Sequence, residues 1–522
     1  MNLLKKTIFC IGIFLVSLTN GYTAEYFVNS VTGNDQNPGT SANVPWKSLI
    51  PVQAKTFLPG DTVNFARGSS WTKAAPEYLL LIDDNGTPEH PIVFQAYGKG
   101  IKPEFSNVGT WNKGIKITAK NNIIDNLLVT NTGYQGMELA AGADYNIIRN
   151  CEITKCGCGI NIQGSYNLVT KNYVHDMVMV VNDPKTVNPD NDFGATAFSL
   201  EKGNNNEISY NKAVTCKAPS YDYGNDGGFV EIWTGAANNY IHHNWVEDTE
   251  GFIEAGGSNS SQMVENNLIS YNVSFNNSGF MALHTGGGTF DVTIVNLRIE
   301  NNTIISVTDA NRIFWISGLT APGTVFSLKN NIIYTSVKIS DFGSFVHTNN
   351  IYYSPNGSSV GFPLGVGDQS INPQFMDFAG KDFRLKANSP AIDKGIDLKY
   401  NNDFAGDTVP KGNAPDIGAY ESDHTTANVD VLLNENNRDF SIFPNPVPVT
   451  PGSVNFDFTA TQGQKIGIRI LNIQGQTIGD YAYTAISNGK NLLQKDLIAP
   501  TGLYIATLVK GNEVSTQKFV IQ

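Results

Sequence analysis

The sequence is poor in charged residues, in cysteine and in long hydrophobic spans. Only 16% of its 522 residues are charged, and 5 are cysteines. The N-terminal apolar run, from Ile8 to Leu18, is too short to cross a bilayer as a helix. The formal net charge is −12 and no cluster of lysine and arginine stands out, which argues against a nucleic-acid partner. We therefore expect no stable membrane insertion and no binding to DNA or RNA.

Residues 1–24 have the pattern of a signal peptide. Lys5 and Lys6 precede the apolar run, and small and polar residues follow it. Cys10 lies within the run without the small residues of a lipoprotein cleavage site. We predict that the mature chain is exported and soluble.

The four remaining cysteines do not have the spacing of a metal site. Cys156 and Cys158 form a Cys-x-Cys pair, but no second ligand pair at zinc spacing lies near them. Buried thiols, or one disulfide near Cys151 and Cys156, are the better interpretation in an oxidising compartment. Cys216 is the fourth of these cysteines.

The chain is rich in glycine and in short stretches of alternating apolar residues. It has 50 glycines and few stretches with helical periodicity, which predicts an all-β protein of more than one domain. From about residue 114, an asparagine followed by alternating apolar residues recurs every 19 to 24 residues, with longer gaps at insertions. These asparagines are Asn126, Asn150, Asn172, Asn211, Asn244, Asn267, Asn302, Asn331 and Asn350. Amides stacked at one corner of each coil favour such a repeat, so we predict a β-solenoid.

Both ends of the repeat resemble secreted right-handed parallel β-helix proteins. A strand at Tyr26, a Gly/Asn/Pro turn and a short amphipathic segment from Trp46 to Phe57 resemble the cap over the first coil. Ile371-Asn-Pro-Gln-Phe375 and Pro415-Asp-Ile-Gly-Ala-Tyr-Glu421 resemble the other end of pectate-lyase-like, carbohydrate-active bacterial proteins. The resemblance implies a right-handed parallel β-helix catalytic domain over residues 25–421 and a polysaccharide substrate.

The last segment predicts a separate small domain. Residues 422–438 are polar and Asn-rich, which suits a linker, and residues 439–522 alternate strands with Gly and Asn turns, which predicts a β-sandwich. Phe440-Ser-Ile-Phe-Pro-Asn-Pro446 and Gly502-Leu-Tyr-Ile-Ala-Thr-Leu closely resemble the type IX secretion sorting domain of Bacteroidetes. The resemblance implies export by the type IX machinery to the cell surface or medium; a carbohydrate-binding module is the alternative.

Two glutamates occupy the same place in successive coils. They lie in the stretches Asp226-Gly-Gly-Phe-Val-Glu231-Ile-Trp233 and Glu250-Gly-Phe-Ile-Glu254-Ala-Gly-Gly257. Glu254 follows Glu231 by 23 residues, about one coil, so their carboxylates should lie one above the other at the strand spacing of about 4.8 Å.

Further polar residues fall beside this pair when the inward apolar residues of the coils are aligned. The neighbouring outward column holds Glu201, Trp233 and His284. Two insertions, residues 177–192 and 217–226, lead into the strands that carry Glu201 and Glu231. Insertions on one side of a repeat fold usually wall a binding face, so we predict a groove here.

Paired carboxylates suit glycoside hydrolysis, in which one protonates the leaving oxygen and the other acts as nucleophile or activates water. We predict a glycoside hydrolase with Glu231 and Glu254 in these roles, in unassigned order, which resembles β-helix glycosidases. No cofactor is required. An open groove suits endo action on a long plant or algal polysaccharide, sulfated and acidic ones included, and we expect a monomer.

Several side chains are predicted to contact the substrate. They are Asp226, Glu250, Glu201, Trp233, His284 and Tyr223. Asp226 and Glu250 could instead be bend residues beside glycine, and His284 could be a surface histidine without a role. A second acidic cluster, ranked below the first, contains Glu247, Asp248, His175 and Asp176.

Two other functions stay open. A calcium-assisted lyase acting on uronic-acid polymers would use the glutamates as calcium ligands and a lysine or arginine for the chemistry. Only Lys202, Arg312 and His284 are available nearby as cations, which favours hydrolysis over elimination. A non-catalytic glycan-binding β-helix protein would show scattered aromatic residues without a carboxylate focus.

Overall fold

The computed structural model describes residues 23–74, 77–187, 191–285, 290–307, 313–317, 325–341, 345–357, 360–422, 440–447, 453–472, 476–497, 499–511 and 513–521. The chain divides into two compact units, Met1–His424 and Thr425–Gln522. Most of the predicted signal peptide and of the predicted linker lies outside the described residues. Within the described ranges, no helix is long and apolar enough to cross a membrane.

Three parallel sheets, here named A, B and C, form the first unit, and each coil passes through sheet C, then A, then B. Sheet A contains the strands Glu25–Val28, Thr62–Ala66, Ile92–Tyr97, Asn122–Asp125, Ile147–Arg149, Leu168–Thr170, Glu207–Ser209, Tyr240–His242, Leu268–Ser270, Leu297–Glu300, Phe326–Lys329 and Val346–Thr348. Sheet B contains Ser70–Lys73, Glu104–Asn107, Leu128–Thr130, Glu152–Thr154, Tyr173–His175, Lys212–Val214, Trp245–Glu247, Val273–Phe275, Thr303–Ser306, Ile332–Thr335 and Ile351–Tyr353.

Sheet C carries the paired glutamates. Its strands are Tyr78–Ile82, Lys113–Ile117, Gln135–Leu139, Cys158–Ile162, Thr196–Glu201, Gly228–Trp233, Ile253–Gly256, Met281–Leu283 and Phe314–Ile316. Short two-stranded sheets lie outside sheets A, B and C. They pair Met179–Val181 with Phe193–Gly194, Ala218–Ser220 with Gly224–Asp226, Met263–Glu265 with Thr293–Val295, and Phe375–Asp377 with Asp382–Leu385. The right-handed parallel β-helix predicted from the sequence is confirmed.

The N-terminal segment has the predicted amphipathic character. It contains the short helix Ile50–Ala54, which has a proline in its first turn, where the missing N–H costs no hydrogen bond. Trp46, Leu49, Val52 and Phe57 are all buried and belong to the same apolar cluster as the first strands. Their burial covers the first coil.

The interior is built from apolar columns that repeat from coil to coil. Phe229, Phe252 and Phe280 occupy the same position in successive coils and are almost fully buried, with ring centroids 5.0 and 4.9 Å apart. Each such ring contributes about 1.5–3 kcal/mol by leaving water. The phenylalanine column is therefore structural, and it fixes the height of the neighbouring outward residues.

Two asparagine ladders, rather than one, run along the coils. The first contains Asn122, Asn146, Asn167, Asn206, Asn239 and Asn267. The second contains Asn172, Asn211, Asn244, Asn272, Asn302, Asn331 and Asn350. In both, each side-chain oxygen accepts from the backbone N–H of the preceding member.

The predicted single column therefore mixed two corners of the coil. Asn267 belongs to the first ladder, whereas Asn126 and Asn150 belong to neither. These two are corner residues with φ of 66° and 55°, a left-handed conformation that asparagine tolerates better than most residues. Asparagine thus serves both as a ladder residue that hydrogen-bonds from coil to coil and as a corner residue with a positive φ.

The four cysteines among the described residues, Cys151, Cys156, Cys158 and Cys216, are all buried and unpaired. Of the two interpretations left open by the sequence, the structure therefore shows thiols. Burial raises the pKa of Cys156 to about 11, which keeps its thiol protonated.

The second unit consists of two antiparallel sheets. One contains Phe440–Phe443, Ser453–Ala460 and Gly489–Asp496, and the other contains Lys465–Asn472, Thr477–Thr484, Gly502–Lys510 and Glu513–Ile521. Its own apolar core includes Phe456, Ile468 and Phe519. The β-sandwich predicted for this segment is confirmed.

Candidate active site

Sheet C places Glu231 directly beside Glu254. The register pairs these two residues, with Ser199 before Glu231 and Ala282 after Glu254 in the same outward column. Val230 and Ile232 flank Glu231 and are buried, and so are the residues on either side of Glu254. Both carboxylates therefore project away from the core. Parallel neighbouring strands lie about 4.8 Å apart, which brings the two acids within mutual influence.

Glu231 is a half-buried acid that resists ionisation. Burial, together with the neighbouring Glu254 carboxylate, raises the pKa of Glu231 to about 8. The hydroxyl oxygen of Thr196 lies 2.5 Å from Glu231 Oε1 and 3.3 Å from the carbonyl oxygen of Gly194. Thr196 has a single hydroxyl proton, so it can donate to only one of these two oxygens.

Glu254 is bound to a histidine from the following coil. His284 Nε2 lies 2.7 Å from Glu254 Oε1. The imidazole ring of His284 contacts Trp233, Phe290 and Trp315, with ring centroids 5.9, 5.5 and 4.9 Å away. This aromatic surround fixes the orientation of the imidazole and, through it, that of the Glu254 carboxylate.

Asp226 and Glu250 add two further acids at the entrance to the glutamate strands. Burial raises the pKa of Asp226 to about 7, with added repulsion from Glu254, Asp192 and Glu250. Asp226 Oδ1 accepts a hydrogen bond of 2.7 Å from the Gly227 N–H. Burial also raises the pKa of Glu250, whose Oε2 accepts from the Ser278 hydroxyl at 3.0 Å.

Glu201 and Trp233 lie side by side in the second outward column, as the alignment predicts. Glu201 accepts hydrogen bonds from Asn161 Nδ2 at 2.9 Å and Gln163 Nε2 at 3.3 Å, which hold its carboxylate in place. The indole of Trp233 lies over Gly256: a Cβ at that glycine would fall 2.4 Å from a ring carbon. Glycine at position 256 thus makes room for the tryptophan.

The two insertions form one wall. Asp192, from the first insertion, accepts from the Ser220 hydroxyl at 2.9 Å and from the Asp222 N–H at 3.1 Å, both in the second insertion. Asp222 accepts in turn from the Asn191 N–H at 2.8 Å. Tyr223 is exposed and lies in the turn between the paired strands Ala218–Ser220 and Gly224–Asp226.

Sequence reasoning missed Thr196, Asp192 and Phe290. Thr196 is the first residue of its strand and pairs with Gly228, and alignment of the strand starts could have found it. Asp192 and Phe290 lie outside the sheet C strands. No period relates such residues to the glutamates, so only the folded structure brings them together.

The second acidic cluster lies on sheet B, separate from the paired glutamates. Glu247 is bound to Lys381, and Asp248 accepts from Asn276 Nδ2 at 2.5 Å. His175 Nδ1 contacts Asp176 at 2.7 Å. These side chains have local partners that account for them.

Three cations were considered for elimination, and one of them, His284, contacts Glu254. Lys202 is a corner residue with φ of 65°, and Arg312 lies outside the described residues. Nowhere in the described part of the chain do three or more His, Cys, Asp or Glu side chains converge as they would to hold a metal ion.

Comparison with known proteins links a short part of the chain to a glycosidase. A lacto-N-biosidase of Bifidobacterium longum subsp. longum is 43% identical over 75 residues, which are 14% of this chain and 4% of the relative. The match thus spans only a small fraction of the relative's length.

Solved structures with similar coordinates include two carbohydrate-active enzymes. The GH136 lacto-N-biosidase from Eubacterium ramulus has a TM-score of 0.41 and 16% identity, covering 63% of this chain and 67% of that one. The alginate lyase from Paenibacillus sp. has a TM-score of 0.33 and 13% identity, covering 58% and 93%. The chemistry has to be argued from the site.

The second unit is matched by a family model. Residues 441–522 match the secretion system C-terminal sorting domain. The type IX sorting domain predicted from the sequence is confirmed, and with it the location at the cell surface or outside the cell.

Proposed function

We propose that the protein is a secreted glycoside hydrolase that cleaves a polysaccharide, with Glu231 as the general acid and Glu254 as the nucleophile or base. The observation that carries this proposal is the pairing, one coil apart, of a carboxyl with a raised pKa and a carboxylate bound to histidine. Glycoside hydrolysis needs one acid of each kind.

The raised pKa of Glu231 supports its role as the acid. Thr196 donates a hydrogen bond of 2.5 Å to Glu231 Oε1, which by itself lowers the pKa, but burial and the Glu254 carboxylate outweigh it and raise the pKa to about 8. Glu231 therefore keeps a proton near neutral pH, ready for transfer to a leaving glycosidic oxygen.

The contacts of Glu254 support the opposite role. His284 Nε2 can donate to Glu254 Oε1, which leaves the second oxygen of this acid for a sugar carbon or a water. A carboxylate held in this way suits a nucleophile or a base. The assignment gives each of the two glutamates one role.

The position of the pair supports a glycan substrate. Glu201, Trp233 and Asp226 surround the pair with hydrogen-bonding groups and one large aromatic surface, which suits hydroxyl-rich rings with apolar faces. The stretch shared with the Bifidobacterium lacto-N-biosidase, a glycosidase, agrees with this class.

Two variants test the proposal. Glu231→Gln and Glu254→Gln should each lower kcat/KM by about 100-fold or more, because each removes one partner of the proton transfer or the attack. Glu104→Gln, which changes a carboxylate on sheet B, should retain full activity. Full activity in both site variants would contradict the assignment.

Product analysis separates hydrolysis from elimination. Hydrolysis releases reducing ends without a new double bond, whereas a lyase gives an unsaturated sugar that absorbs ultraviolet light. The screen should use plant and algal polysaccharides, including sulfated ones. An unsaturated product that depends on Glu231 would replace the hydrolase proposal with the lyase.

A further inference from the structure

The outward face that carries the glutamates continues well beyond them toward the N-terminal coils. The register leads from Glu231 through Ser199, Asn161 and Glu138 to Lys116. Four steps at about 4.8 Å place Lys116 about 19 Å from Glu231 along the same column. Ser199, Asn161 and Glu138 are buried, so the column links the two regions through the strand register rather than as an exposed surface.

A depression of about 350 Å³ opens at this far end. Its lining residues are Glu77, Thr110, Trp111, Asn112, Lys113 and Lys116. Trp111 is 50% exposed, which is unusual for the largest apolar side chain on a soluble protein. An exposed indole beside hydrogen-bonding groups is the pattern of a site for a partly apolar, hydroxyl-rich ligand.

The polar groups of the depression are held in fixed positions. Glu138, which is buried, contacts Lys113 Nζ at 2.7 Å and Lys116 Nζ at 3.7 Å. Glu77 also lines the depression, so two ammonium groups and two carboxylates lie in it or beneath it. The local charges balance, so the site suits a neutral sugar better than an anionic one.

The insertion wall reaches this depression. The Trp111 ring contacts Phe193 and Tyr134, with centroids 5.6 and 5.2 Å away. Phe193 directly follows the first insertion and lies three residues before Thr196. Thr196 is the first residue of its sheet C strand, and its hydroxyl contacts Glu231. The same wall therefore borders both the depression and the paired glutamates.

We propose that the depression at Trp111, Lys113, Lys116 and Glu138 is a distal subsite for a neutral sugar unit. The substrate is then a chain of several sugar units that reaches both this subsite and Glu231, and the cleavage is endo. The inference rests on the proposed function, since it names the substrate class of that same groove. Trp111 packs on the apolar face of the sugar, and Lys113, Lys116 and Glu77 bind its hydroxyl groups, with Glu138 holding the two lysines in place.

Binding to the full chain carrying Glu231→Gln tests this subsite apart from catalysis. The probes are xyloglucan, arabinoxylan and galactomannan as neutral polymers, and polygalacturonate, alginate and carrageenan as anionic ones. Adding Trp111→Asn should weaken binding of a neutral polymer by about tenfold, because an aromatic contact is lost. Asparagine is chosen because position 111 has φ of 67°, which asparagine tolerates.

Tyr145→Asn is the matched control. Tyr145 is also an exposed aromatic residue with a positive φ, of 59°, but it lies at the turn before a sheet A strand. This variant should bind as the parent does. Lys116→Gln is a second test that leaves Trp111 in place, and it should weaken binding in the same direction.

Chain length gives a further check. For the polymer that binds, Trp111→Asn should weaken binding of its octasaccharide and leave that of its disaccharide unchanged. Unchanged binding in both Trp111→Asn and Lys116→Gln, binding of anionic polymers alone, or binding of none of the six overturns the subsite. Full activity of Glu231→Gln would instead overturn the catalytic assignment and leave the binding result standing.

Discussion

At Glu231, catalysis and stability make opposite demands on one side chain. Burial and the adjacent Glu254 hold the pKa of Glu231 at about 8, and the same desolvation penalises its ionised form in the folded state. Thr196 donates to Glu231 and lowers its pKa, but this hydrogen bond does not outweigh burial and the charge of Glu254. A residue placed in this way for proton donation should reduce the stability of the fold around it.

The first prediction concerns stability and pH. An unfolded glutamate ionises near pH 4.5, whereas folded Glu231 keeps its proton to about pH 8, so the folded state binds more protons between these values. Stability from this group is present below pH 4.5 and is lost as pH rises through about 8. Glu231→Gln, which cannot ionise, should therefore be more stable than wild type at pH 8, by on the order of a few kcal/mol.

Urea denaturation at several pH values checks this prediction. Wild type and Glu231→Gln should have similar free energies of unfolding near pH 4.5 and diverge as the pH rises. Glu104→Gln should follow wild type throughout. A Glu231→Gln chain that is less stable than wild type at pH 8 contradicts the prediction.

The second prediction concerns activity and pH. A general acid acts only while protonated, so kcat/KM should fall as the pH rises through the pKa of Glu231, about 8. The profile of initial rates against pH on the screened substrate measures this. If Glu231→Asp retains measurable activity, its alkaline limb should move, because the shorter side chain no longer reaches Thr196. An alkaline limb that is identical in both chains would assign the proton to another group.

At the scale of a strand, Gly256 shows how one coil is shaped to fit its neighbour. A Cβ there would lie 2.4 Å from Trp233, whereas a Cβ on Gly251, at the start of the same coil segment, meets nothing within 4 Å. Neither glycine has a positive φ. The two positions differ in the space around them rather than in backbone conformation.

The third prediction uses this difference. Gly256→Ala should displace the Trp233 ring and destabilise the fold by about 1–3 kcal/mol through overpacking. It should also lower activity, because Trp233 contacts His284. Gly251→Ala should change neither property appreciably. Thermal unfolding and kcat/KM of the two variants compare them directly, and equal effects would contradict the role of Gly256.

The asparagine ladders give the fourth prediction. Asn244 Nδ2 contacts the carbonyl oxygens of Ile208 and His242 and the side-chain oxygen of Asn272, and its own oxygen accepts from Asn211. Asn244→Ala should cost on the order of 2–4 kcal/mol, because it leaves several buried polar groups unpaired. Asn401→Ala, at an exposed position, should cost little. Denaturant midpoints of the two variants check this.

The strand register could be predicted from the sequence, but the ladders could not be separated. A period of one coil aligns Glu231 with Glu254 whatever the details of the corners. The middle coils, however, have asparagines at two corners, and others lie at left-handed bends such as Asn126, and spacing alone does not distinguish them. Contacts such as Thr196 with Glu231 depend on side-chain reach, and the insertions follow no period at all.

At the scale of the whole chain, the two units have separate cores and separate tasks. The β-helix unit holds the candidate site, and residues 441–522 carry the sorting domain. The apolar core of the second unit is built from residues between Phe440 and Ile521 alone. Export and the proposed chemistry should therefore be separable.

The fifth prediction follows from this division. A chain that ends at residue 424 should keep its activity but fail to reach the cell surface or the medium. Fractionation of the host, with activity measured in each fraction, tests both parts. A chain with Glu231→Gln and an intact sorting domain should show the reverse pattern. Normal export of the shortened chain would contradict the prediction.

The four buried cysteines make the protein a convenient frame for site-specific labels. Burial raises the pKa of Cys156 to about 11, and burial acts in the same direction on Cys151, Cys158 and Cys216, so none offers a reactive thiolate near neutral pH. A cysteine introduced in place of exposed Tyr223 should thus be the group that reacts first with a maleimide dye. Such a dye on the insertion wall would report the arrival of a sugar chain in the groove without any turnover.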